Sequence, residues 1–225
     1  ALDEWDGLLN FLRAKGVELK SIERSGLVIP RESKEGYYDR FRDRIVFPIF
    51  DVKSQCVGFG ARTMKDEKGA KYINSPDTPV YTKGHHLFGL QLTRHAIAKK
   101  DLAIVVEGYM DMIIPFQFGV DNIVASLGTA LTTEQIRLLR RYTNNVVMLF
   151  DADAAGQAAI VRSLDVLIEQ DMNVRVASLA AGEDPDTFIR KFGPGQFNQR
   201  IREARSLFDF KFEWLAKQFD PQNIE

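Results

Sequence analysis

Leu102-Ala103-Ile104-Val105-Val106-Glu107 and Val146-Val147-Met148-Leu149-Phe150-Asp151-Ala152-Asp153 follow one plan, an apolar run of strand length that ends on a carboxylate. Two further apolar strands are expected at 121–125 and 174–179, and helical patterns separate all four. Between the second and third, Thr132 and Gln135 form a capping-box pattern ahead of Ile136, Leu138 and Leu139. Between the third and fourth, Ile160, Leu164 and Leu167 repeat at helical spacing within Ala154–Glu169. Strands alternating with helices imply parallel pairing through right-handed crossovers, with the helices covering the sheet faces. The fold class read from this block is α/β, a compact parallel sheet flanked by helices.

The acids fall where such a sheet places its chemistry. Glu107 follows the first strand, Asp151 and Asp153 follow the third, and Glu183, Asp184 and Asp186 follow the strand ending near Leu179. The C-terminal ends of parallel strands share one edge, where α/β folds bind their ligands. Asp151 and Asp153 are two residues apart, so in extended geometry they point the same way with Cα atoms roughly 6.5–7 Å apart. Clustered carboxylates repel one another unless a hard cation takes oxygen ligands from them. Two ions about 3.5–4 Å apart would support phosphoryl transfer without a protein nucleophile. Structural roles are open to the same residues: Asp153 could cap a helix starting at Ala154, Asp184 could cap one with Pro185 in its first position, and Glu107 could lead into a turn at Gly108.

Working outward, residues 36–95 read as a mixed α+β region, with β-like runs at Arg44–Phe50 and 57–62 and a turn at Asn74-Ser75-Pro76-Asp77. Ahead of it, Leu2, Trp5, Leu8, Leu9 and Leu12 form the apolar stripe of a helix expected from the first residue and stopped by Gly16. Beyond 187 the chain reads as helical, and Phe208, Phe212, Leu215 and Phe219 are expected to pack into a core. The expected division is 1–99, a mixed α+β basic subdomain; 100–187, the metal-binding α/β domain; and 188–225, a short helical subdomain.

The 225 residues are 45% hydrophobic, enough for a real core. No run approaches the 18 or more apolar residues of a membrane span, and the start lacks the pattern of a secretion signal, so a soluble cytoplasmic protein is expected. Cys56 is the only cysteine, which excludes an intramolecular disulfide. His85, His86 and His95 lack cysteine partners at zinc-finger spacing, so no zinc site is expected and any metal is held by oxygen. The net charge of −1 divides unevenly, into −1 over residues 1–35, +6 over 36–100 and −6 over 101–225. A basic block beside an acidic one suggests a surface for polyanions and a separate site for cations.

The basic block has its own pattern. Arg40-Phe41-Arg42-Asp43-Arg44 alternates, which in a strand puts Arg40, Arg42 and Arg44 on one face. Arg62 follows Gly58-Phe59-Gly60, where small residues permit close backbone approach. Lys71-Tyr72-Ile73-Asn74-Ser75-Pro76 and Tyr81-Thr82-Lys83-Gly84 add cations, amide donors and rings, the components of a groove for single strands or nucleotide phosphates.

Three acidic segments, Glu107-Gly108-Tyr109-Met110-Asp111, Asp151-Ala152-Asp153-Ala154-Ala155-Gly156 and Gly182-Glu183-Asp184-Pro185-Asp186, resemble the signatures of the Toprim domain of primases, topoisomerases and some nucleases. Ala125-Ser126-Leu127-Gly128-Thr129-Ala130 resembles the segment bacterial primases carry between the first two signatures. The series from Asp39-Arg40-Phe41-Arg42 through Phe47-Pro48-Ile49 and Lys71–Pro76 to Lys83-Gly84 is similar to the N-terminal half of the polymerase core of bacterial DnaG-type DNA primases. The resemblance spans roughly residues 1–215. Ala61 stands where that family often has glycine.

The resemblance implies a nucleotidyltransferase that makes RNA primers on single-stranded DNA from ribonucleoside triphosphates. Glu107, Asp151, Asp153, Asp184 and Asp186 would hold Mg2+ or Mn2+, with Glu107, Asp151 and Asp153 catalytic. Arg42, Arg44, Arg62, Lys71, Tyr72, Asn74 and Lys83 would line the groove for template, nucleotide and RNA–DNA product. A replicative helicase and a single-strand binding protein are expected partners of the full-length protein through regions outside this chain, at the replication fork in the cytoplasm. Two other classes stay open at this point: a Toprim nuclease or topoisomerase-like enzyme, told apart by metal-dependent DNA cleavage without nucleotides, and a non-catalytic nucleic-acid-binding module.

Overall fold

The apolar stripe at the start of the chain becomes helical only from Gly7, and the reason lies more than thirty residues downstream. The computed structural model describes residues 1–32, 35–65, 70–127, 131–149, 167, 169–179 and 182–218, with backbone alone for 213–218. Helix α1 (Gly7–Ala14) has its first N–H groups satisfied by the buried Asp39 carboxylate, which accepts from Leu8 N at 2.7 Å and Leu9 N at 3.0 Å. That contact fixes where the helix begins, because the opening N–H groups of a helix have no partner inside it. Leu2 and Trp5 therefore precede the helix and are exposed. Gly16 stops α1 as expected, at φ +79°.

The chain folds into two units, Ala1–His86 and Leu87–Glu225. In the first, α2 (Leu19–Arg24) follows α1, and β1 (Val28–Pro30) pairs antiparallel with β2 (Tyr37–Asp39). Leu9, Ile22 and Val28 form a small core there, with Leu12 and Tyr37 against it. Strands β3 (Arg44–Phe50), β4 (Cys56–Thr63) and β5 (Tyr72–Asn74) form an antiparallel sheet in that order. The expected alternation over 40–44 does not occur, because β3 starts only at Arg44 and Asp43 takes φ +48°, outside strand geometry. Gly58 of β4 does allow close approach, but to the protein itself: a Cβ there would lie 3.0 Å from the buried Tyr81 ring.

In the second unit, α3 (Leu90–Lys100) leads into β6 (Ala103–Val106), followed by α4 (Tyr109–Gln117), β7 (Ile123–Ala125), α5 (Thr133–Arg140), β8 (Asn145–Met148) and β9 (Asn173–Val176). Strands β6 and β7 pair in parallel, as do β6 and β8, and β8 and β9. A short β10 (Arg205–Ser206) closes the β9 edge antiparallel, and the order is β10-β9-β8-β6-β7. Ala103, Ile104, Val105 and Val106 are all buried, as a parallel strand covered on both faces requires. Thr132 and Gln135 make the reciprocal capping bonds expected at the start of α5.

Helix α6 (Pro185–Arg202) packs on α4 and breaks at Gly193, whose φ of +77° precedes Pro194. Helix α7 (Leu207–Gln218) reverses one expectation. Phe208 and Phe212 are 78% and 66% exposed, and Phe210 is the buried ring among the described residues of that helix. Apart from Leu167 and Glu169, the expected helix at 154–169 lies outside the described residues.

Candidate nucleic-acid and metal-binding site

The strand order gives Glu107 its setting. From β6 the chain runs outward to β7, and from β8 it runs outward to β9 on the other side. The carboxyl ends of β6 and β8 thus flank the point where the connections diverge, the crevice in which open parallel sheets bind ligands. Glu107 directly follows β6, and its carbonyl accepts from Leu127 N at 3.0 Å. Leu127 is buried and left-handed at φ +69°, a conformation that costs a non-glycine residue about 1–2 kcal/mol, and it lies at the exit of β7. Asp111 accepts from Gly108 N at 3.0 Å and caps α4 immediately after Glu107. An acid three residues into a helix is a capping signal, and Asp111 fits it.

Chain leaving β8 stays beside β6, since Leu149 N donates to Val105 O at 2.9 Å. Asp151 and Asp153 come two and four residues later and lie outside the described residues. From β9, Ala177 N donates to Met148 O at 2.9 Å before the chain reaches the third acidic segment. There each acid has a partner on α6. Asp184 caps the helix, its Oδ1 accepting from Thr187 N at 2.6 Å and Thr187 Oγ1 at 2.7 Å. Asp186 pairs with Arg190 at 2.5 Å and Glu183 with Lys191 at 2.9 Å. The hydrogen bond from Lys191, then that from Thr187, holds the Glu183 carboxyl below its usual range.

Among the described residues, no three His, Cys, Asp or Glu side chains converge on a point that could hold a metal ion. The expected ligands among the described residues, Glu107, Asp184 and Asp186, are all carboxylates, which suit a hard divalent cation. The helix-starting role open to Asp184 in the sequence is the one it takes here, and Asp186 is engaged by a cation of its own helix.

The basic side chains belong to the first unit. A polar cavity of about 390 Å³ is lined by Arg40, Arg42 and Arg44 together with Trp5 and Lys65. Arg40 Nε donates to Gly26 O at 2.8 Å, Arg42 donates to Asp39 O, and Arg44 donates to Ala70 O and Lys71 O at 3.1 and 3.2 Å. The arginines thus share one cavity without the strand alternation that suggested it. Arg62, Lys71, Tyr72, Asn74 and Lys83 do not line it. Arg62 lies over the Tyr72 ring at 5.6 Å, from neighbouring positions of β4 and β5. Asn74 pairs with Gly60 across the same strands, and Lys71 is exposed. Lys83 sits on the 3-10 turn Lys83–His85, where its N–H donates to Asp77 at 3.2 Å. A larger cavity of about 700 Å³ in this unit is apolar, between α1 residues such as Leu8 and Phe11 and the side chains of Phe41, Val46 and Phe59, and it holds none of the expected site residues.

The parallel sheet with Glu107 leaving its C-terminal edge is of the Toprim type, since residues 104–189 match the family described as Toprim-like. Residues 1–94 match the DNA primase catalytic core, N-terminal domain. A DNA primase from Clostridium acetobutylicum is 45% identical over 227 residues, covering 100% of this chain and 37% of that protein. A crystal structure of a DNA primase domain from Pseudomonas aeruginosa matches with a TM-score of 0.89 at 39% identity, over 98% of this chain and 70% of that one. A DnaG primase catalytic domain bound to ssDNA matches with a TM-score of 0.84 at 37% identity, over 96% of this chain and 68% of that one. The chain belongs to the bacterial DNA primase family and corresponds to part of its catalytic core. A Toprim primase core implies dependence on a divalent metal.

Proposed function

We propose that this chain is the RNA-synthesising core of a DNA primase, copying single-stranded DNA into short RNA primers in the cytoplasm at the replication fork. A ribonucleotide 3'-hydroxyl attacks the α-phosphate of the next ribonucleoside triphosphate, the hydroxyl proton passes to a base, and pyrophosphate leaves. The observation that carries this reading is the position of Glu107 and of the chain leaving β8, on either side of the switch point of the parallel sheet. Glu107, Asp151, Asp153, Asp184 and Asp186 would hold the metal, and Glu107 would also assist proton transfer. When bound, Mg2+ or Mn2+ would supply Lewis-acid activation of the hydroxyl and charge neutralisation for the leaving pyrophosphate.

Arg42, Arg44, Arg62, Lys71, Tyr72, Asn74 and Lys83 bind template, nucleotide and the RNA–DNA product, mainly through phosphates, so affinity falls steeply with salt. The functional division proposed is 1–99 for that groove, 100–187 for catalysis and 188–225 for the helical end. The related proteins extend well beyond the region this chain spans, and helicase and single-strand binding protein engage through those parts. Primer formation on single-stranded DNA tests the reading, comparing wild type with Asp151→Ala and Asp153→Ala. Each variant is expected to fall to background with its circular dichroism unchanged; undiminished synthesis by both would sink the metal assignment.

A further inference from the structure

The apolar residues of the parallel sheet give it little reason to pair in one register. Every residue of β6 and β7 is buried, as are Val146, Val147 and Met148 of β8. Where only one face of a sheet is buried, a one-residue slip carries the apolar set into water and is penalised. Here a slip exchanges one buried apolar residue for another, so burial barely separates the observed pairing, Ala103 with Val146 and Ile104 with Ile123, from its neighbours. Register matters to the site because Glu107 directly follows β6. A strand rises about 3.3 Å per residue, so each step of slip would move Glu107 by that much past the chain leaving β8.

Polar side chains at the opposite edge, where the strands begin, do separate the registers. Asp101 ends α3 in a left-handed conformation, and its carboxylate accepts from Thr143 Oγ1 and from Asn145 Nδ2, both at 2.8 Å. Its carbonyl accepts from Asn145 Nδ2 at 3.1 Å as well. Asn145 opens β8, and its Oδ1 accepts at 3.1 Å from Asn173 Nδ2, which opens β9. On the other side of β6, the buried Asn122 stands just before β7 and donates to Leu102 O at 2.9 Å, while Lys100 reaches Asp121 and Asn122 Oδ1. Side-chain bonds thus run from β9 through β8 and β6 to β7, with a rung between each pair of neighbours. Backbone ladder bonds can re-form after a strand slides, but these join particular residues and break together. Thr143 and Asn122 are buried, so their broken bonds would leave polar groups unsatisfied away from water.

We propose that Asp101, Asn122 and Asn145 are positioning residues, a polar ladder that fixes the register of β6 against β7 and β8 and thereby the height at which Glu107 stands beside the chain leaving β8. Strand order puts Glu107 at the carboxyl edge in any register; the ladder sets how far along that edge it reaches. The consequence rests on the metal-site reading, in which a cation is shared between Glu107 and the acids after β8. The ladder itself lies at the far ends of the strands and acts only through them.

The test is Mn2+ affinity by calorimetry and kcat of primer synthesis for wild type, Asp101→Ala, Asn145→Ala and Asp101→Asn, with Ile136→Val in the buried face of α5 as a destabilised control away from the ladder. Metal affinity of the folded protein is a property that lowered stability alone does not move. Asp101→Ala and Asn145→Ala are expected to weaken Mn2+ and to lower kcat about 10-fold, the size seen for groups that orient metal ligands without touching the metal. Nucleotide KM should stay unchanged, because the proposed nucleotide contacts lie in the first unit. Asp101→Asn tolerates the left-handed backbone and keeps an acceptor for Thr143 but not for Asn145, so it should fall in between, and it carries the test where an alanine variant fails to fold. Wild-type Mn2+ affinity in the folded ladder variants, or an equal loss in Ile136→Val, overturns the ladder while primer synthesis by wild type keeps the primase reading intact. A wild-type chain that neither binds Mn2+ nor makes primers overturns the metal site and the ladder's role with it.

Discussion

The two units position their charged groups by different means. In the first, each arginine is set by its neighbours: Arg40 by Gly26 O, Arg42 by Asp39 O and two rings, Arg44 by the carbonyls of residues 70 and 71. In the second, Glu107 is set by strand order, because whatever follows β6 emerges at the switch point. Local contacts can be removed one at a time with local consequences. A position that comes from topology is lost only when the sheet is, but it depends on the packing of the whole sheet.

The largest effect expected from that difference is on stability. Ile104 lies in the interior strand β6 and is 1% exposed. Ile104→Ala should cost about 2–5 kcal/mol, the transfer term plus the cavity left between layers. Urea unfolding would measure it beside Trp5→Ala, whose largely exposed ring leaves little buried contact to lose. Comparable costs for the two substitutions would break the contrast between a packed frame and a locally held surface.

The same contrast explains what the sequence made legible. Strands buried on both faces announce themselves as apolar runs, and an acid directly after such a run marks the strand's C-terminal end, so the parallel sheet and the position of Glu107 could be read directly. The capping box at Thr132 and Gln135 was equally readable, because its partners are three residues apart. Contacts between residues far apart in sequence were not. The start of α1 is fixed by Asp39, more than thirty residues away, and nothing in the stripe from Leu2 to Leu12 shows that. Alternation at Arg40–Arg44 put the three arginines together by the wrong geometry, since Asp43 is left-handed and the arginines share a cavity through carbonyl contacts. Phe208 and Phe212 fit a helical stripe, but a stripe shows a shared face and not what covers it.

A smaller effect tests the one place where both kinds of positioning meet. Asp184 follows the parallel sheet and also caps α6, so its substitution mixes a cap with the metal-binding role proposed for it. Asp184→Ala removes both and should cost about 1 kcal/mol of stability. Asp184→Asn keeps a capping oxygen and removes the charge, so it should melt close to wild type. Titrating Mn2+ by calorimetry then separates the roles: weaker binding in the Asn variant assigns a ligand, and unchanged binding leaves Asp184 a cap alone.

The smallest expected effect belongs to the locally built unit. His86 stacks on the buried Tyr81 at 5.4 Å, and burial first, then the nearby His85, pushes its pKa below the ordinary 6.5, with Asp51 pulling the other way. Its folded pKa lies below the unfolded one, so the unfolded chain binds more protons over the interval between them. The contribution is therefore complete above about pH 6.5 and is lost as the pH falls through the folded value. Urea midpoints should drop modestly between about pH 7.5 and 5, and His86→Gln should flatten that part of the profile while leaving the acid limb from the carboxylates. An unchanged slope in the variant would show that the stack carries no proton-linked stability.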